Sequence, residues 1–238
     1  MKLDILAIGA HPDDVELGAG ATISKEIANG KKVGILDLTR GELGTRGNAE
    51  IRDKESINSS KVLGISIREN LRLQDGFFEN NKENQLRIIE IIRKYQPEIV
   101  LINAREDRHP DHGRAHTLAS TSCFLSGLIK IETTLNGSKQ LPWRPKNIYS
   151  YIQWKYIEPD FVVDVSSFMN NKINAILEYK SQFFDPSSTE PETPISKDGF
   201  TDSIKNLGAE FGKITNVKYA EGFITERYPL IDSLFDIK

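Results

Sequence analysis

The chain has 238 residues, 38% hydrophobic and 27% charged, which suits one globular domain over 1–238 with a C-terminal elaboration from about residue 140. The formal net charge of -3 gives no general attraction to nucleic acid or to an anionic membrane, and favours a small-molecule partner. A single cysteine, Cys123, excludes an intrachain disulfide, and without a signal-peptide pattern or a membrane-length apolar run we expect a cytoplasmic protein.

Apolar runs and helical periodicity alternate along the first half of the chain. The predicted strands are 3–9, 32–38 and 99–103, and the predicted helices are 17–29, 50–63, 86–95 and one that starts near residue 112. Gly30, Gly64 and Pro97 provide the stop signals of the first three helices. Strands that alternate with helices predict an α/β fold with a Rossmann-like, mostly parallel sheet that has helices on both faces.

All four histidines lie in two short segments, and each segment directly follows a predicted strand. The first is Ala10-His11-Pro12-Asp13-Asp14, and the second is His109-Pro110-Asp111-His112-Gly113-Arg114-Ala115-His116. In open α/β sheets, ligands bind beyond the carboxyl ends of the strands, so the topology brings both segments to one rim. Imidazole and carboxylate are ligands that zinc accepts, and the two segments therefore predict a shared metal site.

Ordinary turn chemistry is the alternative interpretation of these segments, because Asp, Pro and His are common in turns and Asp13 or Asp14 is a suitable helix N-cap. Capping explains neither the repetition of His-Pro-Asp nor the absence of histidine elsewhere. Dinucleotide binding is disfavoured, since Gly18 and Gly20 come too late for a G-x-G-x-x-G turn and adjacent carboxylates would repel a pyrophosphate.

The spacing within the segments suggests which residues bind the ion and which residue acts on the bound water. Asp13 and Asp14 point in different directions, so one can bind the ion while its neighbour faces a bound water and takes its proton. His112, at the start of its helix, is the natural ligand beside His11 and a carboxylate. A competing assignment pairs His112 with His116, which lies four residues later on the same helix face.

His109 and Asp111 complete the set of candidate catalytic residues. His109 precedes the turn and is placed to donate a proton to a leaving group or to stabilise an oxyanion. Asp111 is placed to hydrogen-bond one imidazole and fix its tautomer. Two other classes remain open: a two-histidine, one-carboxylate iron oxygenase, whose usual all-β setting conflicts with this pattern, and a non-catalytic α/β binding module.

The order and spacing of A-H-P-D-D and H-P-D-H resemble the LmbE-like, or PIG-L, family of N-acetylglucosaminyl deacetylases over nearly the whole chain. Further stretches are most similar to the branch that serves bacillithiol biosynthesis: Asp37-Leu38-Thr39, Glu50-Ile51-Arg52, Glu106-Asp107-Arg108, Tyr179-Lys180-Ser181-Gln182-Phe183 and Tyr219-Ala220-Glu221-Gly222-Phe223. Phe200 departs from that branch, where the equivalent residue is tyrosine, and the departure puts a hydroxyl contact from this position in doubt.

The resemblance implies a Zn2+ site, with another divalent ion such as Fe2+ as the alternative, held by His11, Asp14 and His112. It implies Asp13 as general base and His109 as acid and oxyanion partner, oriented by Asp111. The implied reaction removes the N-acetyl group from an N-acetylglucosamine conjugate, and in this branch the substrate would be N-acetylglucosaminyl malate. The residues implied to contact the substrate are Arg52, Glu42, Arg144 and Arg108.

Two features concern the rest of the molecule. The segment 185–194 is rich in Pro, Ser, Thr and Glu between the predicted helices 170–183 and 202–211, and predicts a long exposed loop that covers the site or meets another subunit. The resemblance also implies a homo-oligomer, a hexamer in relatives. Glu221 is expected to be structural or interfacial rather than catalytic.

Overall fold

The structure is a computed structural model that describes residues 1–237. Its strands are β1 (Ile5–Gly9), β2 (Val33–Asp37), β3 (Ile67–Asn70), β4 (Ile99–Ile102), β5 (Thr134–Leu135), β6 (Ser138–Lys139), β7 (Asn147–Tyr151), β8 (Phe161–Asp164) and β9 (Ala220–Thr225). Its helices are α1 (Asp14–Ala28), α2 (Ala49–Leu63), α3 (Lys82–Tyr95), α4 (Pro110–Leu125), α5 (Met169–Leu177) and α6 (Phe200–Ile214), with a 3-10 turn at Leu234–Asp236. Within residues 1–237, each helix is too short or too polar to cross a lipid bilayer.

The main sheet has seven strands in the order β3-β2-β1-β4-β7-β9-β8. The first five of these are mutually parallel, whereas β9 runs antiparallel to both β7 and β8. The predicted mostly parallel α/β fold is therefore confirmed, with an antiparallel end formed by the C-terminal part. The strand order reverses between β1 and β4, and a crevice forms at the carboxyl ends of these two strands. The histidine segments follow these same two strands.

Alternating residues of the strands face two different helical layers, which explains why the central strands are apolar throughout. Ile5 and Ala7 of β1 pack toward α1, while Leu6 and Ile8 pack toward α3 and α4. Burial on both faces is what a continuous apolar run predicts for a parallel strand. On the α1 side, α2 and α5 pack against α1 and extend the layer.

Glu221 has a structural role in this arrangement. Its carboxylate accepts the backbone N–H groups of Ala21 and Thr22, in the middle of α1, at 3.1 and 2.7 Å. Lys172 donates to the same carboxylate at 2.7 Å, and both side chains are buried. A buried carboxylate needs such partners, and here they tie β9 and α5 to the helix that enters the candidate site.

Candidate active site

A cleft of about 370 Å3 opens at the carboxyl ends of β1 and β4. The two histidine segments meet there, as the topology predicts, and the cleft has the size of a small-molecule site. Its charged and imidazole lining consists of His11, Asp13, Asp14, Arg52, Asp75, Arg108, His109 and His112. Its other walls include Leu17, Leu43, Trp154 and Ile195.

Asp14 lies between two imidazoles at the floor of this cleft. Its Oδ1 atom is 3.0 Å from His112 Nε2, and its Oδ2 atom is 3.5 Å from His11 Nδ1. The amide groups of Asn103 and Gln153 donate to the same carboxylate at 3.2 and 2.8 Å. Asn103 follows β4 and also accepts the Ala10 backbone N–H, so it joins the ends of β1 and β4.

The opposite ring nitrogen of each imidazole contacts a further carboxylate. His11 Nε2 lies 3.0 Å from Asp75 and 3.4 Å from Asp111, and His112 Nδ1 lies 2.7 Å from Asp107. These contacts direct His11 Nδ1 and His112 Nε2 toward Asp14. Histidines that bind metals are usually oriented in this way by a carboxylate on the outer nitrogen.

The charges of the site favour a bound cation. Burial opposes protonation of His112, but Asp14 and Asp107 outweigh it and raise the pKa of this imidazole to about 9. For His11 likewise, burial is outweighed by Asp111, Asp14 and Asp75, which raise its pKa well above the usual value. The buried carboxylates thus stabilise positive charge on the two imidazoles. Their negative potential would also stabilise a divalent ion bound between nitrogen and oxygen ligands.

Asp13 projects into the cleft from a strained backbone. It precedes α1 with φ 114° and ψ -26°, in the left-handed region that non-glycine residues avoid, and its side chain makes no capping bond. The turn-and-cap interpretation therefore fails for this residue. Burial raises the pKa of the Asp13 carboxyl to about 7, against the opposing effect of the Arg52 charge.

His109 lies beside the other two imidazoles, with ring centroids 4.7 Å from His11 and 5.3 Å from His112. Its Nδ1 atom accepts the Asp111 backbone N–H at 3.3 Å, so the neutral ring carries its proton on Nε2. Asp111 thus contacts His109 through its backbone N–H, whereas its carboxylate contacts His11, the Gly76 backbone N–H and Arg114.

His116 does not line the cleft, and its ring nitrogens contact other groups, which favours the His11, Asp14 and His112 set over the His112/His116 pair. Its Nδ1 atom lies 3.1 Å from the Asn103 carbonyl and 3.2 Å from the Ser150 hydroxyl, and its Nε2 atom lies 3.5 Å from Glu226. The four-residue spacing places His112 and His116 on one face of α4, but their surroundings differ. His112 lies in the first turn, beside the cleft, whereas His116 lies one turn later and packs on the sheet.

Two of the four expected substrate-contact residues line the cleft. Arg52 is buried in its wall and donates to the side chain of Gln182. Arg108 is exposed at the mouth, where its guanidinium lies 4.6 Å from the centroid of the Trp154 ring. Within residues 1–237, neither guanidinium forms an ion pair with a carboxylate, so both are available to an anionic group.

The other two, Glu42 and Arg144, do not line the cleft, and both side chains contact other parts of the chain. Both carboxylate oxygens of Glu42 accept backbone N–H groups, from Asp75 at 2.9 Å and from Arg40 at 3.2 Å, and so brace the loop that forms one wall. The Arg144 guanidinium packs 4.4 Å from the centroid of Phe124 and donates to the carbonyl of that residue. Each side chain is held by a tertiary contact that the motif resemblance does not reveal.

The 185–194 segment lies against the rim of the cleft. Ser188 and Glu190 bond to Arg46 and to the Gly47 backbone N–H at 2.7 and 2.8 Å, and Thr193 and Pro194 line the opening with the following residue, Ile195. Behind them, Phe200 stacks on Trp154 and Phe183 with centroids 5.5 and 5.7 Å apart. Position 200 therefore contributes to an aromatic wall.

Sequence reasoning missed Asp75 as a partner of His11. The two residues are 64 positions apart, and Asp75 lies in a turn without a recognisable motif. Asp107 offered a better signal, because it belongs to the Glu106-Asp107-Arg108 stretch immediately before His109.

Comparison with known proteins identifies relatives of this chain. The model of the PIG-L family, described as GlcNAc-PI de-N-acetylase, matches residues 6–123. The diacetylchitobiose deacetylase of Thermococcus kodakarensis is 28% identical over 229 residues, covering 92% of this chain and 81% of the relative. The uncharacterized deacetylase YaiS of Escherichia coli is 34% identical over 125 residues, 50% of this chain and 67% of YaiS.

The 4-oxalmesaconate hydratase of Pseudomonas putida, named for another reaction, is 25% identical over 232 residues and covers 91% of this chain and 86% of its own. Among solved structures, the conserved protein TT1542 of Thermus thermophilus superposes with a TM-score of 0.85 at 33% identity, over 98% of both chains. The matched residues, the shared fold and the paired histidine segments show that this chain belongs to the PIG-L deacetylase family.

Proposed function

We propose that this chain is a metal-dependent hydrolase that removes the N-acetyl group from an N-acetylglucosamine conjugate. The observation that carries the proposal is the pair of carboxylate-tethered imidazoles facing Asp14, in a cleft that also holds a strained carboxylate and a third imidazole. The amino-sugar substrate is supported by the family and by the diacetylchitobiose deacetylase relative.

We assign His11, Asp14 and His112 as the residues that would hold Zn2+, or Fe2+ in its place. The ligating atoms of His11, His109 and His112 also lie within 4.8 Å of one another, which permits His109 as a ligand. We prefer Asp14 because both tethered imidazoles face it, whereas no carboxylate orients His109. When bound, the ion supplies Lewis acidity, which polarises the amide carbonyl and acidifies a water molecule.

Asp13 and His109 carry out the two proton transfers of the proposed reaction. The Asp13 carboxylate accepts a proton from the water as its oxygen attacks the amide carbon, and Arg52 nearby favours the ionised carboxylate. The imidazolium form of His109 donates its Nε2 proton to the departing nitrogen as the C–N bond breaks, and burial, which lowers the pKa of this ring, makes it the stronger acid. The products are acetate and a free amine: one water proton passes to Asp13 and then restores the His109 proton, and the other leaves the new carboxyl group for the solvent.

The finer substrate assignment is N-acetylglucosaminyl malate. Arg52 in the wall and Arg108 at the mouth offer two guanidinium groups without carboxylate partners in residues 1–237, and planar guanidinium groups suit the carboxylates of malate. The Trp154 ring contacts both the Arg108 guanidinium and the Phe200 ring. We assign these three side chains to the recognition of the acidic part of the substrate.

The test offers protein of defined zinc content N-acetylglucosaminyl malate, N,N'-diacetylchitobiose and N-acetylglucosamine, and measures acetate and free amine. We expect fastest release from the malate conjugate. Arg108→Gln should raise KM for that substrate and leave KM for diacetylchitobiose unchanged, with Arg144→Gln as a matched control outside the cleft. Equal rates on all three substrates would overturn the malate assignment, and no acetate from any of them would overturn the deacetylase.

The same protein preparation distinguishes a deacetylase from the other functional classes. An iron oxygenase would consume oxygen without stoichiometric acetate, and a hydratase like the Pseudomonas relative would act on an unsaturated carboxylate and release no acetate. A binding module would bind sugar without turnover.

A further inference from the structure

The sheet face that carries α1 is only partly covered. The buried side chains of α1 pack over β1 and β2, whereas α3 and α4 pack on the opposite face. α6 packs against β9 through Phe211, which contacts Ile152 and Ala220 rather than the residues that face α1. Beside α1, a groove of about 200 Å3 remains open, and its apolar floor consists of Ile99, Leu101, Tyr149, Phe161, Val163 and Phe223.

This groove opens at the amino ends of the parallel strands, on the edge opposite to the candidate active site. Its rim includes Asp4, Lys31 and Glu98, which precede β1, β2 and β4. A parallel sheet is normally covered on both faces, because its strands are apolar on both. The open floor is therefore a surface on which another element can pack.

The C-terminal arm, which we define as residues 226–237, leaves the sheet at the same edge. The Glu226 backbone N–H donates to the Ile148 carbonyl, and Arg227 donates to the Lys146 carbonyl at 2.7 Å and to Asn147 at 3.1 Å. Lys146 in turn is paired with Glu98 on the groove rim at 3.1 Å. The start of the arm and the mouth of the groove are thus neighbours.

The arm is apolar and locally ordered, yet the rest of its own chain does not cover its side chains. Tyr228, Leu230, Leu234 and Phe235 are 87–98% exposed, and a capping box between Ser233 and Asp236 orders the final turn. Four large apolar side chains exposed within one short segment indicate a surface that binds another apolar surface.

We propose that this arm packs into the open groove of a second copy of the same chain. Twelve residues span up to about 40 Å when extended, which is enough to cross to a neighbour. A two-fold exchange lets both arms enter both grooves and closes the assembly. The Tyr and Phe side chains of the two arms alone bury roughly 600–1,000 Å2. With the groove surface that they cover, this exceeds the roughly 1,000 Å2 of a specific interface.

The first experiment measures the mass of the intact protein by sedimentation across a concentration series. We expect at least a dimer, and Leu234→Ser combined with Phe235→Ser should lower the mass to a smaller species with unchanged circular dichroism. Asp232→Ser in the same arm is the matched control and should sediment as the parent does. A monomeric parent at all concentrations, or a double variant of unchanged mass, would overturn the proposal.

The second experiment identifies the docking partner by crosslinking. Cys123 is fully buried, and burial raises the pKa of its thiol to about 12, so it does not compete with introduced cysteines. Phe235→Cys chains mixed with Glu26→Cys chains should form a disulfide-linked pair on oxidation. In a chain carrying both changes at high dilution, a disulfide formed only within that chain would show that the arm enters its own groove and would overturn the exchange.

Discussion

Asp13 combines backbone strain with the chemistry assigned to it. A non-glycine residue with φ 114° costs roughly 1–3 kcal/mol, and the fold retains it at the entrance of α1 where its carboxylate reaches the cleft. Strain of this kind is found at positions where function fixes a side chain that the local backbone would not choose.

We predict that two Asp13 substitutions differ in their effect on stability and have the same effect on activity. Asp13→Asn and Asp13→Gly should both keep the metal and lose about 100-fold or more in kcat, because neither accepts the water proton. Asp13→Gly should unfold with about 1 kcal/mol more free energy than Asp13→Asn, since glycine adopts this φ freely. Metal analysis, steady-state kinetics and denaturant unfolding measure the three quantities. Near-normal turnover in either variant would remove Asp13 from the role of base.

The two histidines of α4 that competed as ligands are distinguished by metal content. His116→Ala should bind metal at the parent stoichiometry, because this ring contacts Asn103, Ser150 and Glu226 instead of the cleft. His112→Ala should lose the metal. Both variants need to be compared as folded protein, since each removes a buried polar side chain at a cost of about 1–3 kcal/mol. Metal loss from His116→Ala would restore the competing ligand pair.

At the scale of single elements, α1 shows how close packing positions the site. A Cβ atom on Gly18 would lie 2.1 Å from the ring of Tyr151, which is fully buried and donates to the Ile8 carbonyl. The helix can therefore approach the sheet only with glycine at this position. Asp14, one turn earlier, is placed by the same approach.

Two glycine substitutions on this helix should differ in size. Gly18→Ala should destabilise the protein by about 1–3 kcal/mol, because Tyr151 has no room to move. Gly20→Ala should change the stability by less than about 1 kcal/mol, since its Cβ would meet Lys172 Cγ at 3.3 Å, a contact that a small shift relieves, while alanine favours the helix. Chemical unfolding of both variants measures the difference. Equal losses would contradict the packing argument.

The first half of the fold could be predicted because its apolar runs are long and its helices have clear stops. The predicted strand 3–9 and helix 50–63 correspond to β1 and α2 within two residues. The C-terminal strands were harder to detect: β8 has four residues, and β9 contains Glu221, whose partners on α1 and α5 are distant in sequence. The predicted helix 170–183 ends at Leu177, since the chain turns there to bring Gln182 to Arg52.

In the candidate site, too, some residues could be predicted from the sequence and others could not. Residues with a local motif, such as His11 and His112, were found because strand ends in a parallel sheet converge. The contacts of Glu42 with the Asp75 backbone and of Arg144 with Phe124 could not be predicted, because only tertiary packing fixes them.

At the scale of the whole molecule, a metal held between the segments after β1 and β4 would link two halves of the sheet. We predict that removing the metal with a chelator lowers the melting temperature and that added Zn2+ restores it, because a ligand at 100 times its Kd stabilises a fold by about 2.7 kcal/mol. Differential scanning calorimetry measures the shift. His112→Ala should show no response to either treatment, and an equal response in that variant would place the ion elsewhere.

The position of β9 has a consequence for synthesis of the protein. This last strand lies inside the sheet, between β7 and β8, although it is made after every other strand. While the ribosome is still translating the C-terminal residues, β7 presents an unpaired edge and β8 has no neighbour. Such edges invite association between nascent chains. Truncation before residue 220 should therefore yield an aggregating polypeptide in cells, even though both histidine segments have already emerged.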